Sequence, residues 1–185
     1  MVKPAHKIRI IGGLWRGRKL TVLDSLGLRP SSDRLRETLF NWLMPIITGA
    51  RCLDLFAGTG ALGLEAASRG AASVVFVEQN QSVANKLQQH ILLLNASQVQ
   101  LHCTDALTFL QHDVGQPFDV LFLDPPFAST LLADSVNLLQ YNNILAENAC
   151  IYVEQAKSQT LLVPPQWRLL KQKITAQVRV FLFQV

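Results

Sequence analysis

Phe118-Asp119-Val120-Leu121-Phe122-Leu123 runs straight into Asp124-Pro125-Pro126-Phe127. A strand of buried character thus ends in an acid, two prolines and an aromatic. The prolines stiffen the turn and remove N–H donors, so carbonyl acceptors remain. Asp124 stands at the carboxyl end of a strand, where open α/β sheets bind ligands. Phe127 offers a face for stacking a planar base. An exocyclic base amine is a poor nucleophile, because its lone pair is delocalised into the ring. The Asp124 carboxylate and the Pro125 carbonyl can bind the amine protons and favour a pyramidal nitrogen whose lone pair points at an electrophilic methyl group. Such catalysis rests on orientation and electrostatics. A rigid turn with a buried aromatic is the weaker alternative.

A second motif, Asp54-Leu55-Phe56-Ala57-Gly58-Thr59-Gly60-Ala61-Leu62-Gly63, contains G-x-G-x-x-G between a predicted strand and a predicted helix. Gly58 and Gly60 let the backbone turn tightly and approach a ligand, and Gly63 permits close helix packing. Glu78 ends the next strand, 20 residues after Gly58, where a carboxylate can accept hydrogen bonds from ribose hydroxyls. Two cofactor classes suit this arrangement. A dinucleotide needs the loop and the helix N-terminus for its pyrophosphate. S-adenosyl-L-methionine has no phosphate and needs acids near its ammonium and its ribose. Asp54 is misplaced for a phosphate contact. It can serve as an orienting acid near the methionine end or as a cap on loop amides. Asp105 can hold an adenine amine or cap a helix. Phe56, Gln79 and Ala106 complete the expected cofactor contacts.

The elements that must position these residues alternate. Strands are predicted over 52–56, 73–78, 99–103, 118–123 and 150–154, and helices over 61–68, 82–94, 105–111 and 130–139. Segments 167–173 and 177–183 lack a helix between them and read as an antiparallel pair. Repeated βα units imply a mostly parallel sheet with helices on both faces. Ahead of them, strands over 8–11 and 19–22 form a small hairpin. Arg29-Pro30 breaks the chain, and Ser31 or Ser32 caps a helix carrying Leu35, Leu39, Phe40, Trp42 and Leu43. The division expected is a basic extension over 1–30 and a catalytic domain over 31–185.

The 185 residues carry a net charge of +4, unevenly spread. Residues 1–36 hold nine basic and two acidic side chains, a net +7; the remainder carries −3. A basic arm on a mildly acidic body is a footprint of nucleic-acid binding. With 49% hydrophobic and 16% charged residues, disorder is excluded. No apolar run reaches the about 18 residues that span a bilayer, and the N-terminus lacks a signal-peptide stretch. The cytoplasm is the expected address. Cys52, Cys103 and Cys150 show no CxxC spacing and read as buried free thiols. His6, His90, His102 and His112 show no ligand spacing, with His90 and His112 on polar faces, and no metal is expected.

Asp-Pro-Pro-Phe after the fourth strand and Asp-Leu-Phe-Ala-Gly-Thr-Gly after the first resemble class I S-adenosylmethionine-dependent amino-methyltransferases. The segments Arg9-Ile-Ile-Gly-Gly-Leu-Trp-Arg-Gly-Arg-Lys-Leu20 and Leu28-Arg-Pro-Ser-Ser-Asp-Arg-Leu-Arg-Glu-Thr-Leu-Phe-Asn-Trp-Leu43 narrow this. They resemble the bacterial RsmD family of small-subunit ribosomal RNA guanine-N2 methyltransferases, over nearly the whole chain. The resemblance implies a Rossmann-like α/β fold, with a seven-stranded sheet whose last strand is antiparallel. It also implies methylation of guanine 966 of 16S rRNA in the assembling 30S subunit by a monomer. Arg9, Arg16, Arg18, Lys19, Arg34 and Arg36 then become candidate RNA contacts, and Trp15 either stacks on RNA or anchors the hairpin. Arg36 can alternatively close the cofactor pocket or pair with Asp33 or Glu37.

Four other readings compete. A DNA adenine-N6 methyltransferase shares the Asp-Pro-Pro-aromatic chemistry but would need a target-recognition domain. A protein glutamine-N5 methyltransferase would carry Asn-Pro-Pro-Tyr. A nucleotide-dependent oxidoreductase leaves residues 124–127 unexplained. A non-catalytic RNA-binding assembly factor has no need of intact Gly58, Gly60, Glu78 and Asp124.

Overall fold

The computed structural model describes residues 7–22, 33–112, 115–127 and 129–185. The proposed Ser31/Ser32 cap and the Arg29-Pro30 break lie outside them. From residue 51 the chain alternates as the sequence predicts: β3 (Arg51–Asp54), α2 (Ala61–Ser68), β4 (Ser73–Val77), α3 (Gln81–Leu93), β5 (Val99–His102), α4 (Ala106–Leu110), β6 (Phe118–Leu123), α5 (Leu131–Leu139) and β7 (Leu145–Ala156). Then come β8 (Arg168–Ile174) and β9 (Val178–Gln184). The seven-stranded sheet has the order β5-β4-β3-β6-β7-β9-β8, with β9 antiparallel to both neighbours.

Strand order reverses between β3 and β6, which pair in parallel with Leu53 opposite Leu121 and Asp54 opposite Phe122. This is the switch point at which open α/β sheets leave a crevice. Both motifs leave the sheet here, one after β3 and one after β6.

Successive strand residues point to opposite faces, and the core divides accordingly. Cys52, Val120, Phe122 and Tyr152 face one layer; Leu53, Leu121, Leu123 and Val153 face the other. Helix α2 is buried along its whole length in the first layer. Its approach to the sheet is so close that a Cβ on Gly63 would lie 2.2 Å from Phe76.

The N-terminal hairpin, β1 (Lys7–Arg9) and β2 (Lys19–Thr21), is antiparallel with Ile8 opposite Leu20. Its apolar side chains Ile8, Ile10, Trp15, Leu20 and Val22 join the first layer, alongside α1 (Asp33–Leu43). A buried carboxylate makes the junction. Glu65, in mid-α2, accepts the Ile11 and Gly12 N–H groups at 2.7 and 2.8 Å, and its carboxylate pairs with Arg69 at 2.7 Å and Arg36 at 4.0 Å. Arg36 donates to the Arg9 carbonyl and to Asp33, each at 2.7 Å. Gly13 completes the fit. Its φ is +74°, and a Cβ there would lie 1.8 Å from the Ser68 carbonyl oxygen.

Three expectations change. Strand β7 extends to both sides of 150–154, because Leu145 pairs with Phe118 across a bulge and Ala156 pairs with Val178. Cys103 is exposed, having passed the end of β5, whereas Cys52 and Cys150 are buried. His90 is buried beneath the hairpin and bonds the Thr21 backbone; burial first, then the Lys86 charge, hold its pKa below the usual histidine range. Among the described residues, no helix is long and apolar enough to cross a membrane, and no His/Cys/Asp/Glu group could hold a metal ion.

Glu65→Ala would take from Arg69 its carboxylate and from the buried Arg36 the second of its two, and free the Ile11 and Gly12 amides. The expected loss is about 3–5 kcal/mol of unfolding free energy, read from urea denaturation as a lower midpoint at constant slope. A loss below about 1 kcal/mol would show that this junction does not hold the arm.

Candidate active site

A cavity of about 680 Å³ opens at the carboxyl ends of the parallel strands. Five carboxylates line it (Asp54, Glu78, Asp105, Asp124 and Glu154), with no lysine or arginine among its described lining residues. Such a wall attracts a cation and repels a pyrophosphate.

Asp54 is almost wholly buried and accepts the Gly63 N–H at 3.0 Å. Gly63 is the third residue of α2, and the N-cap position is Gly60, which has no side chain to offer. Asp54 therefore does the capping work from the end of β3. Burial pushes its carboxyl up to about 7; the Gly63 amide opposes this, the Glu78 charge adds to it, and the Phe56 amide opposes it again. The amide donor that a pyrophosphate would need at this helix start is thereby engaged.

Gly58 turns the loop with φ +50°, and its N–H donates to Glu78 at 2.9 Å. The other Glu78 oxygen accepts the Asn80 N–H at 2.7 Å, so this carboxylate ties the glycine loop to the β4–α3 turn. Gly60 is αL with φ +77°, and its missing Cβ faces Leu87 at 2.4 Å. Gly60 does not line the cavity; its smallness serves α3 packing, whereas Phe56, Gly58 and Thr59 do line it. Gln79 and Ala106 lie on the wall as well. Asp105 lines the cavity while capping α4, accepting the Thr108 N–H at 2.9 Å.

Across the crevice stand Asp124, Pro125, Pro126 and Phe127. Pro125 is buried, Pro126 exposed, and Phe127 half-buried against the first core layer. Ser129 donates its N–H and its hydroxyl to the Pro126 carbonyl, at 3.2 and 2.6 Å. Gln159 donates to the Phe127 carbonyl at 2.5 Å and accepts the Ala156 N–H at 3.2 Å, clamping the motif to the end of β7. Sequence reasoning passed over Glu154. In sequence it follows an apolar run just as Glu78 does, a mark it shares with acids that face water.

The basic arm divides. Arg16, Arg18, Lys19 and Arg34 are exposed, and Arg9 pairs with Asp33 at 3.0 Å while staying largely solvated. Trp15 and Arg36, both candidates for RNA contact, are buried, at 6% and 2% exposure, and take the other roles the sequence offered them. Trp15 anchors the hairpin, its backbone N–H donating to the Ser68 hydroxyl at 2.9 Å. Arg36 is consumed by the Asp33 and Glu65 network, and its Asp33 pair is one the sequence had offered.

The family described as Conserved hypothetical protein 95 matches residues 8–184. Ribosomal RNA small subunit methyltransferase D of Haemophilus influenzae is 51% identical over 181 residues, covering 96% of this chain and 94% of that protein. Its Escherichia coli K12 namesake is 48% identical over 189 residues, covering 100% of this chain and 95% of that one. The solved Escherichia coli yhhF structure superposes with a TM-score of 0.89 at 46% identity, covering 97% of this chain and 98% of that one. With an acid-walled switch-point cavity, an Asp-Pro-Pro-Phe rim and relatives matched end to end, the chain belongs to the ribosomal RNA small subunit methyltransferase D family.

Proposed function

We propose that this chain methylates the exocyclic N2 of guanine 966 in 16S rRNA, using S-adenosyl-L-methionine. The carrying observation is a cavity whose charged lining residues, among those described, are all carboxylates, with Asp124-Pro125-Pro126-Phe127 on its rim. The name shared by its close relatives supports an acceptor in small-subunit ribosomal RNA. The donor set fits a cationic cofactor: Asp54 for the methionine end, Glu78 for the ribose, and Asp105 with Ala106 for the adenine. When bound, this cofactor supplies an electrophilic methyl group on a positively charged sulfur.

The chain's own residues supply orientation. Asp124 takes one proton of the guanine amine as a hydrogen bond. Ser129 already occupies the Pro126 carbonyl, so the second amine proton falls to the Pro125 carbonyl. Phe127 stacks on the base. Holding both protons in place turns the nitrogen lone pair out of conjugation. The base must leave its stack to reach Asp124, at a cost of a few kcal/mol unless the RNA presents it unpaired. Arg9, Arg16, Arg18, Lys19 and Arg34 contact phosphates and set register. The hairpin of the 1–30 extension packs on the face of the sheet that also carries Phe122, Tyr152 and Phe127, which puts the arm and the rim on one side. Acting as a monomer in the cytoplasm, the enzyme takes much of its specificity from the shape of the assembling 30S particle.

Three measurements test this reading. Asp124→Ala loses roughly 10²–10³ in single-turnover methyl transfer to undermethylated 30S particles, with cofactor binding retained; an unchanged rate would sink the assigned role. Asp54 gives a pH signature. Its carboxyl, raised to about 7, favours the ligand-free fold while protonated, and that contribution fades as pH rises from the ordinary carboxylate range through about 7. A cation binds the ionised form, so calorimetric affinity for S-adenosylmethionine should rise across the same window and flatten in Asp54→Asn. An identical pH profile in wild type and variant would remove Asp54 from cofactor binding. Arg16→Ala with Arg18→Ala should weaken RNA binding and reduce the log–log salt slope by about 2. A wild-type slope would show that neither side chain meets a phosphate.

A further inference from the structure

Strand β7 brings a second carboxylate to the rim. Leu123 pairs with Val153 in parallel register, so Asp124 and Glu154 are the next residues on neighbouring strands. Both line the cavity. Glu154 is 5% exposed, and the buried Tyr152 hydroxyl donates to its Oε2 at 2.9 Å. Tyr152 lies two residues back on the same strand face, and its ring packs edge-on to Phe122 with centroids 6.4 Å apart, so the hydroxyl has little freedom. Burial, then the charges of Glu154 and Asp124, push this hydroxyl well above its usual range. Glu154 is thus held by a buried partner, in register beside the amine-binding Asp124.

Base chemistry gives that pair a use. The Asp-Pro-Pro-aromatic motif holds an amine and does not by itself distinguish one base from another. Guanine alone among the amine-bearing bases carries a ring N–H beside its exocyclic amine. Beside the adenine and cytosine amines the ring nitrogen of the Watson–Crick edge is a lone pair. Extruded bases are read along that edge. Resting on the guanine-N2 reading above, we propose that Glu154 is the specificity-determining residue that accepts the guanine N1–H while Asp124 holds the 2-amine. A carboxylate facing the lone pair of adenine or cytosine is repelled and left desolvated. A site built to receive an N–H rejects analogues that lack it far more strongly than a hydrophobic pocket rejects a change in size.

The test uses 30S particles reconstituted with 16S rRNA carrying guanine or 2-aminopurine at the target. 2-Aminopurine keeps the 2-amine and presents N1 as a lone pair. In single turnover the wild-type enzyme should methylate 2-aminopurine at least about 100-fold more slowly than guanine. Glu154→Gln, whose amide can donate to that lone pair, should lose rate on guanine and narrow the ratio at least about 10-fold. Tyr152→Phe, which releases the carboxylate, should narrow it in the same direction. Binding of S-adenosylhomocysteine to each variant checks that the fold is intact. A merely structural role would slow both substrates equally, so an unchanged ratio in the folded variants overturns the proposal. Equal wild-type rates on the two bases overturn it without any variant. A wild-type enzyme that leaves the guanine 2-amine unmodified would instead remove the reading on which the proposal rests.

Discussion

The hydrogen bond from the Gly63 amide to the buried Asp54 carboxyl is the constraint on which the rest turns. It joins the end of the central strand β3 to the start of α2 and gives the glycine loop its two fixed ends. From α2 the order spreads. Gly63 seats the helix against Phe76, and Glu65, two residues on, holds the hairpin and Arg36. The cavity meets the start of this short, fully buried helix, and the basic arm is fastened to Glu65 and Ser68 further along it. An eight-residue helix would be marginal alone; burial and two acids make it rigid.

Those acids sit at cross purposes with stability. Five carboxylates line one cavity, and Asp54 resists ionisation, through its burial first and then the charge of Glu78. A site that binds a cation must hold such a wall ready before the cation arrives. The fold limits the cost by giving several of these acids backbone work: Asp54 caps α2, Glu78 bridges two turns, and Asp105 caps α4. In each case the group that would meet the ligand is also the group that sets the loop.

Much of this was legible because strands and helices carry their own periodicity. The βα alternation and the β6 bounds follow from apolar spacing, and the α2 bounds from spacing together with Gly70 beyond its end. Boundaries slipped where pairing decided them: β7 grows past its apolar centre because Phe118 and Val178 offer it partners at either end. Side-chain fate was harder to read. Trp15 and Arg36 sit in a basic segment and can be read as RNA contacts, yet both are drawn inward, one by the apolar layer and one by the Arg9 carbonyl, Asp33 and Glu65. His90 has polar neighbours in sequence, but the hairpin covers it. Glu154 carries no motif of its own: nothing local distinguishes an acid after an apolar run that faces a cavity from one that faces water.

By itself the sequence determined which chemistry the chain can offer: an acceptor-rich turn after one strand, a glycine turn after another, and a basic arm. These are local, and a residue's type and its nearest neighbours suffice to state them. Tertiary structure decided which of those groups meet. The reversal of strand order between β3 and β6 brings residue 54 and residue 124 to one crevice, and parallel pairing of β6 with β7 adds residue 154. Burial and proximity between distant segments depend on how the sheet closes on itself, so the acid wall and the sorting of the arm into buried and exposed arginines could emerge only from the packed fold.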